Sequence, residues 1–109
     1  MFVAIYRWRL KPGHEERFRS GWARITDLAR ERCGSGGSSL FDAGDGTWVA
    51  IARWPDRAAR ERCFAAGPLD IAATAQMRAA ILEALPDLEL DSVDDRWTGF
   101  PPSTAKDGR

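Results

Sequence analysis

The chain has 109 residues, sixteen basic and sixteen acidic, and no net charge. That length suits one domain, and the charge balance excludes the basic excess with which proteins grip nucleic acid or anionic membranes. No apolar run approaches the roughly 20 residues of a membrane span, and Arg7 and Arg9 interrupt the apolar start where a signal peptide would continue, so a cytoplasmic protein is expected.

In chain order, residues 2–10 predict a strand that is apolar on both faces. Phe2, Ala4, Tyr6 and Trp8 share one side; Val3 and Ile5, continued by Arg7 and Arg9, share the other. The Lys11-Pro12-Gly13 turn leads into a helix over 13–32, with Phe18, Trp22, Ile25, Leu28 and Ala29 at three-to-four spacing. His14, at its start, is expected to be exposed. Glycines from 34 to 37 end the helix and are read as a flexible connection. They precede a strand rather than a helix, so they lack the amides of a phosphate site. A short strand over 38–43, the Gly44-Asp45-Gly46 hairpin and a strand over 47–54 follow. In that strand Trp48, Ala50, Ala52 and Trp54 oppose Val49 and Ile51. Asp56 is a candidate N-cap for a helix over 57–65, which Gly67-Pro68 breaks. A further helix is predicted over 69–85, with Ile71, Thr74, Ala75, Arg78, Ile81, Leu82 and Leu85 on one stripe and Pro86 as its stop. The last strand is placed at 88–97. Residues 98–109 turn polar, with Pro101-Pro102, and read as a mobile tail behind a domain spanning 1–97.

The order β-α-β-β-α-β, with its second helix broken, predicts an α+β fold, the ferredoxin-like plait with an antiparallel sheet. Its helices cover one face only. The two-sided strands therefore call for a second cover, most simply another copy of the chain in an isologous homodimer. Cys33 and Cys63 have no metal-ligand spacing and are read as buried thiols, since a disulfide is unusual in the cytoplasm. His14 alone cannot build a metal cluster, and Asp94 and Asp95 would point to opposite faces of a strand. Asp91, Asp94 and Asp95 therefore read as a solvated edge, and no metal site is expected. RNA-recognition modules share the strand order, but the strand over 47–54 lacks their basic and aromatic pattern.

The first strand, the Lys11-Pro12-Gly13 turn, Asp45-Gly46-Thr47-Trp48 and Arg53-Trp54-Pro55, in this order, resemble the antibiotic biosynthesis monooxygenase superfamily of dimeric α+β barrels. The resemblance covers residues 2–97. It implies a pocket between sheet and helices in each subunit and the oxidation of phenols, quinols or anthrones with dioxygen. In the haem-degrading branch, an Asn, a Trp and a ligating His stand where this chain has Tyr6, Cys63 and Ala73 or Thr74. Haem degradation is therefore not implied. In the cofactor-independent branch, a Trp ends the third strand, as Trp54 does here, and Arg78 matches an Arg on the last helix. That branch's Asn is Ala50 here and its Tyr is Arg60.

The resemblance and the residues together nominate Tyr6 for hydrogen bonding, Trp54 for stacking and Arg78 for anion stabilisation, with no cofactor. Trp22, Phe64 and Met77 are the candidate pocket residues. Five of the six have a plainer role to weigh: Trp22, Trp54 and Met77 as core, Tyr6 as a packed ring, and Arg78 as the ion-pair partner of Asp91 or Asp94. The expected function is a small monooxygenase acting on an electron-rich aromatic. The alternative is a non-catalytic protein of the same fold that binds a small aromatic or apolar ligand.

Overall fold

Seven elements run in the order β1 (Phe2–Leu10), α1 (Glu15–Cys33), β2 (Ser38–Asp42), β3 (Thr47–Trp54), α2 (Arg57–Ala65), α3 (Ile71–Ala80) and β4 (Ile81–Asp91). The structure is a computed structural model, and residues 1–101 are described. Of the expected tail, 98–101 has no regular structure and the rest lies outside the described residues. The four strands form one antiparallel sheet in the order β2-β3-β1-β4, the ferredoxin-like α+β plait.

Alternation along β1 and β3 sorts the sheet's two faces. Phe2, Ala4, Ala50, Ala52 and Trp54 are buried beneath the helices. With Ala29, Ala59 and Cys63 they form one core cluster; Leu10, Phe18 and Ala80 form a second. On the opposite face Val3, Ile5, Val49 and Ile51 are only half-buried. The register sets Leu88 and Leu90 beside Ile5 and Val3, and Phe41 beside Val49. These three flanking residues are 44–49 % exposed, so the helix-free face is an apolar surface.

Helix α1 packs on α3 where Gly21 is buried. A Cβ at Gly21 would come within 2.8 Å of the Ala73 carbonyl and 2.9 Å of the Met77 side chain. The absence of a side chain is what lets the two helices close on each other. Asp56 caps α2, its carboxylate accepting from the Ala59 amide at 2.8 Å, and Asp70 caps α3 in the same way through Ala73 at 2.9 Å.

Six expectations are corrected. The predicted helix over 69–85 ends at Ala80, and Ile81, Leu82 and Leu85 lie in β4. The last strand is therefore Ile81–Asp91, not 88–97. Leu82, Glu83, Ala84 and Leu85 are good helix formers, but pairing with β1 outweighs that local preference. Pro86 does not stop a helix. It sits in a bulge where the β1–β4 register jumps from Ile5–Leu88 to Arg7–Leu85, so Pro86 and Asp87 together oppose Tyr6. Cys33 and Cys63 are not free thiols. The end of α1 and the middle of α2 meet over the same core with Cα atoms 5.5 Å apart, and the two sulfurs are bonded. The glycine connection is held rather than loose: the Gly36 amide donates to the Arg53 carbonyl at 2.8 Å, and the Arg53 amide donates to Gly37 at 2.9 Å. Lastly, His14 is half-buried, with its Nδ1 shielded and without a hydrogen-bond partner.

Candidate functional site

A cavity of about 300 Å3 opens between the helix-covered face of the sheet and helices α1, α2 and α3. All six residues nominated from the sequence line it: Tyr6, Trp22, Trp54, Phe64, Met77 and Arg78. Tyr6 and Trp54 reach it because both belong to the helix-facing set of their strands. Trp22 and Met77 come from the packed pair α1 and α3, and both also brace the second core cluster. Their core and pocket roles are thus combined. Phe64 stands at the rim, 54 % exposed, and meets the Trp54 ring edge-on at 6.2 Å between centroids. The remaining wall is mainly Trp8, Ile25, Ala29, Ala52, Leu69 and Ile81, so the space is apolar with a few placed polar groups.

Three polar groups on the lining residues are distinctive. Trp54 is 4 % exposed, and its indole Nε1 has no hydrogen-bond partner. A buried N–H without a partner is costly, and this one is closed off by its neighbours rather than open to the cavity. Arg78 is exposed, and neither a hydrogen bond nor an ion pair forms on its side chain among the described residues. The ion pair with Asp91 or Asp94 weighed from the sequence does not form: Asp91 pairs with Arg57 and Asp94 with Arg96. The third group is the Tyr6 hydroxyl, which accepts a hydrogen bond from Arg60 Nε at 2.9 Å.

Arg60, noted from the sequence only as standing where the cofactor-independent branch has Tyr, was not nominated as a site residue. It is 8 % exposed and the single charged residue among the buried ones described. Its Nη1 lies 3.4 Å from Glu89 and its Nη2 3.7 Å from Asp87. Its guanidinium carbon stands 4.6 Å from the centre of the Phe64 ring and 5.5 Å from that of Tyr6. Arg57, one turn earlier, joins the same network through Glu89 and Asp91 and covers the Phe2 ring. Burial pushes the Tyr6 phenol above its ordinary value of 10.0, and the Arg60 hydrogen bond and charge only partly oppose this. At neutral pH Tyr6 is therefore a neutral hydrogen-bond donor, not a base.

No carboxylate, imidazole or amine is among the cavity's lining residues. Among the described residues there is also no group of three or more His, Cys, Asp or Glu that could hold a metal ion. What remains is one cation, a phenol and four aliphatic hydroxyls around an aromatic slot. Such a site suits an aromatic ligand carrying negative charge or carbonyl oxygen.

No protein-family model and no curated protein matches the sequence. Solved structures do match by shape. SnoaB from Streptomyces nogalater, described as a cofactor-independent oxygenase, superposes with a TM-score of 0.71 at 20 % identity, covering 87 % of this chain and 95 % of its own. Rv0793 from Mycobacterium tuberculosis gives 0.71 at 18 % identity, covering 88 % and 98 %. A further structure, titled simply as an antibiotic biosynthesis monooxygenase, gives 0.67 at 21 % identity, covering 86 % and 100 %. The chain thus has the fold shared by these proteins, as its strand and turn motifs lead one to expect.

Proposed function

We propose that the protein is a small monooxygenase that oxidises an electron-rich aromatic of the quinol, phenol or anthrone type with dioxygen, without a cofactor of its own. The observation that carries this reading is the aromatic cavity, in which Arg78 and Tyr6 join the Trp54 ring in lining an otherwise apolar space. The fold it shares with a cofactor-independent oxygenase supports the same reading.

The chemistry follows from what the lining offers. With no strong base present, the substrate itself must be acidic, as an anthrone methylene flanked by conjugated rings is. It loses its proton to water, and the Arg78 cation and the neutral donors stabilise the anion. That anion passes one electron to dioxygen, and the cavity holds the substrate radical and superoxide together until they recombine. The new C–O bond gives a peroxide anion, which takes a proton. Loss of water from the hydroperoxide leaves a carbonyl, so a methylene and dioxygen become a ketone and water. Exclusion of bulk solvent by Trp22, Trp54 and Met77 limits escape of the radicals.

Oxygen uptake across a panel of anthrones, quinols and catechols tests the reading. Uptake above autoxidation is expected, is expected to survive chelation, and should fall by about tenfold or more in Arg78→Ala, as when an anion-stabilising donor is removed. Uptake lost on chelation would overturn the cofactor-free mechanism.

A second reading, a non-catalytic binder of the same class of ligand, is favoured by Ala50 and Arg60, which stand where the cofactor-independent branch has Asn and Tyr. Tight binding of an aromatic with no turnover in air would select it. In either reading the assembly is a homodimer joined through the helix-free sheet face, where Val3, Ile5, Val49 and Ile51 need cover. A cytoplasmic location is compatible with both readings once the Cys33–Cys63 bond is reduced, as thiol pools there would do. No helix among the described residues is long and apolar enough to cross a membrane.

A further inference from the structure

All three nitrogens of Arg60 face groups outside the cavity wall or the Tyr6 hydroxyl. Nε serves Tyr6, Nη1 faces Glu89 and Nη2 faces Asp87. Its charge is answered by two carboxylates, and its side chain is not part of the cavity wall. Arg60 can therefore act on a ligand only through the hydroxyl it holds. A phenolic hydroxyl has one hydrogen to give, and that hydrogen prefers the plane of the ring, on one side or the other of the oxygen. With the Arg60 Nε–H occupying one side, the hydrogen is turned to the other. Tyr6 can then offer a ligand a donor but is a poor acceptor. Arg78, the charged residue of the cavity wall, can also only donate.

We propose that Arg60 is a positioning residue that fixes Tyr6 as a one-way donor, so that the cavity selects aromatic ligands presenting a carbonyl or enolate oxygen. This rests on the cavity being the ligand site. The bulge around Pro86 is part of the device, because it brings Asp87 opposite Tyr6, where its carboxylate approaches Arg60. The charged groups facing Tyr6 are Arg60 from α2 and Asp87 and Glu89 from β4. Arg78 of α3 shares the cavity wall with it.

Fluorenone and fluorene provide a matched pair of probes, nearly identical in shape, of which only the ketone accepts a hydrogen bond. Their affinities are measured by equilibrium dialysis of the full chain. The ketone preference of the wild type is expected to fall about three- to tenfold in Tyr6→Phe, the worth of one neutral hydrogen bond. Arg60→Met should lose a similar factor, and the double variant no more than either single change. A merely structural Arg60 would instead weaken both probes equally. An unchanged preference in Arg60→Met, or losses that add in the double variant, would overturn the inference while leaving the cavity as the ligand site. If neither probe binds the wild type, the cavity reading and this inference fall together. Should Arg60→Met not fold, nitrogen-15 spectra of Tyr6→Phe decide the matter. One arginine Nε–H signal should shift and exchange faster with water, and no change would overturn the proposal.

Discussion

Tyr6 is the chain's only tyrosine, so its ionisation can be followed directly by ultraviolet absorbance. Its phenol is raised above 10.0 by burial, so the folded state holds the proton at pH values where the unfolded chain has released it. The stability this contributes is full below pH 10 and is lost as pH rises through the higher folded value. Tyr6→Phe should therefore remove part of the alkaline decline in thermal stability and leave the curve at pH 7 to 9 nearly parallel to wild type. Identical alkaline slopes in the two proteins would show that Tyr6 titrates as it does in water. Tyr6 was legible in the sequence because a strand's alternation assigns it to the helix-facing side. Arg60 was not. On α2 it lies among Arg57, Glu61 and Arg62 and looks like one more solvated charge. Its burial depends on Asp87 and Glu89, which only the pairing of β4 with β1 brings near.

Among the elements, α2 carries two residues of the proposed site within a short length. It is nine residues long, too short to persist alone, and carries both Arg60 and Phe64. The Asp56 cap, the bond from Cys63 to α1 and the Arg57 and Arg60 ion pairs with β4 fasten it. Asp56→Ala should cost about 1 kcal/mol in denaturant unfolding, with the Ala59 amide left unpartnered. An unchanged midpoint would mean that water replaces the cap without loss. The cap was readable from Trp54-Pro55-Asp56 because it is a local signal. The end of α3 was not. Helical spacing continues from Ile71 to Leu85, and nothing within that stretch announces that Ile81 onward pairs with β1. Both cysteines were visible, but their bond joins positions 30 apart in sequence, a proximity that periodicity does not encode.

The whole molecule divides its two apolar faces between two tasks. One is covered by helices and contains the cavity; the other is uncovered in the single chain and is where the proposed dimer would form. Association through the second face predicts a dimer at micromolar concentration by light scattering. Ile51→Asp should convert it to a monomer with its fold retained, because Ile51 is only half-buried in the single chain and lies on the helix-free side. A wild-type monomer at that concentration would remove the dimer from the functional reading. This division was legible from the sequence because Val3, Ile5, Val49 and Ile51 stand opposite the helix-facing set of β1 and β3, and one layer of helices cannot cover both sides.

The bulge at Pro86 also bears on where such association stops. β4 is eleven residues long and lies at the edge of the sheet, the kind of border onto which another chain's strand can add. Pro86 brings no amide hydrogen to that border, and its carbonyl is taken by Arg7 at 2.9 Å. The doubled residues there also bend the strand out of line. A stranger meeting this edge finds a broken row of contacts, so growth by successive strand addition is interrupted midway along it. Under the proposed dimer, contact between copies would thereby be steered to the face, where a pair closes and leaves no end to extend.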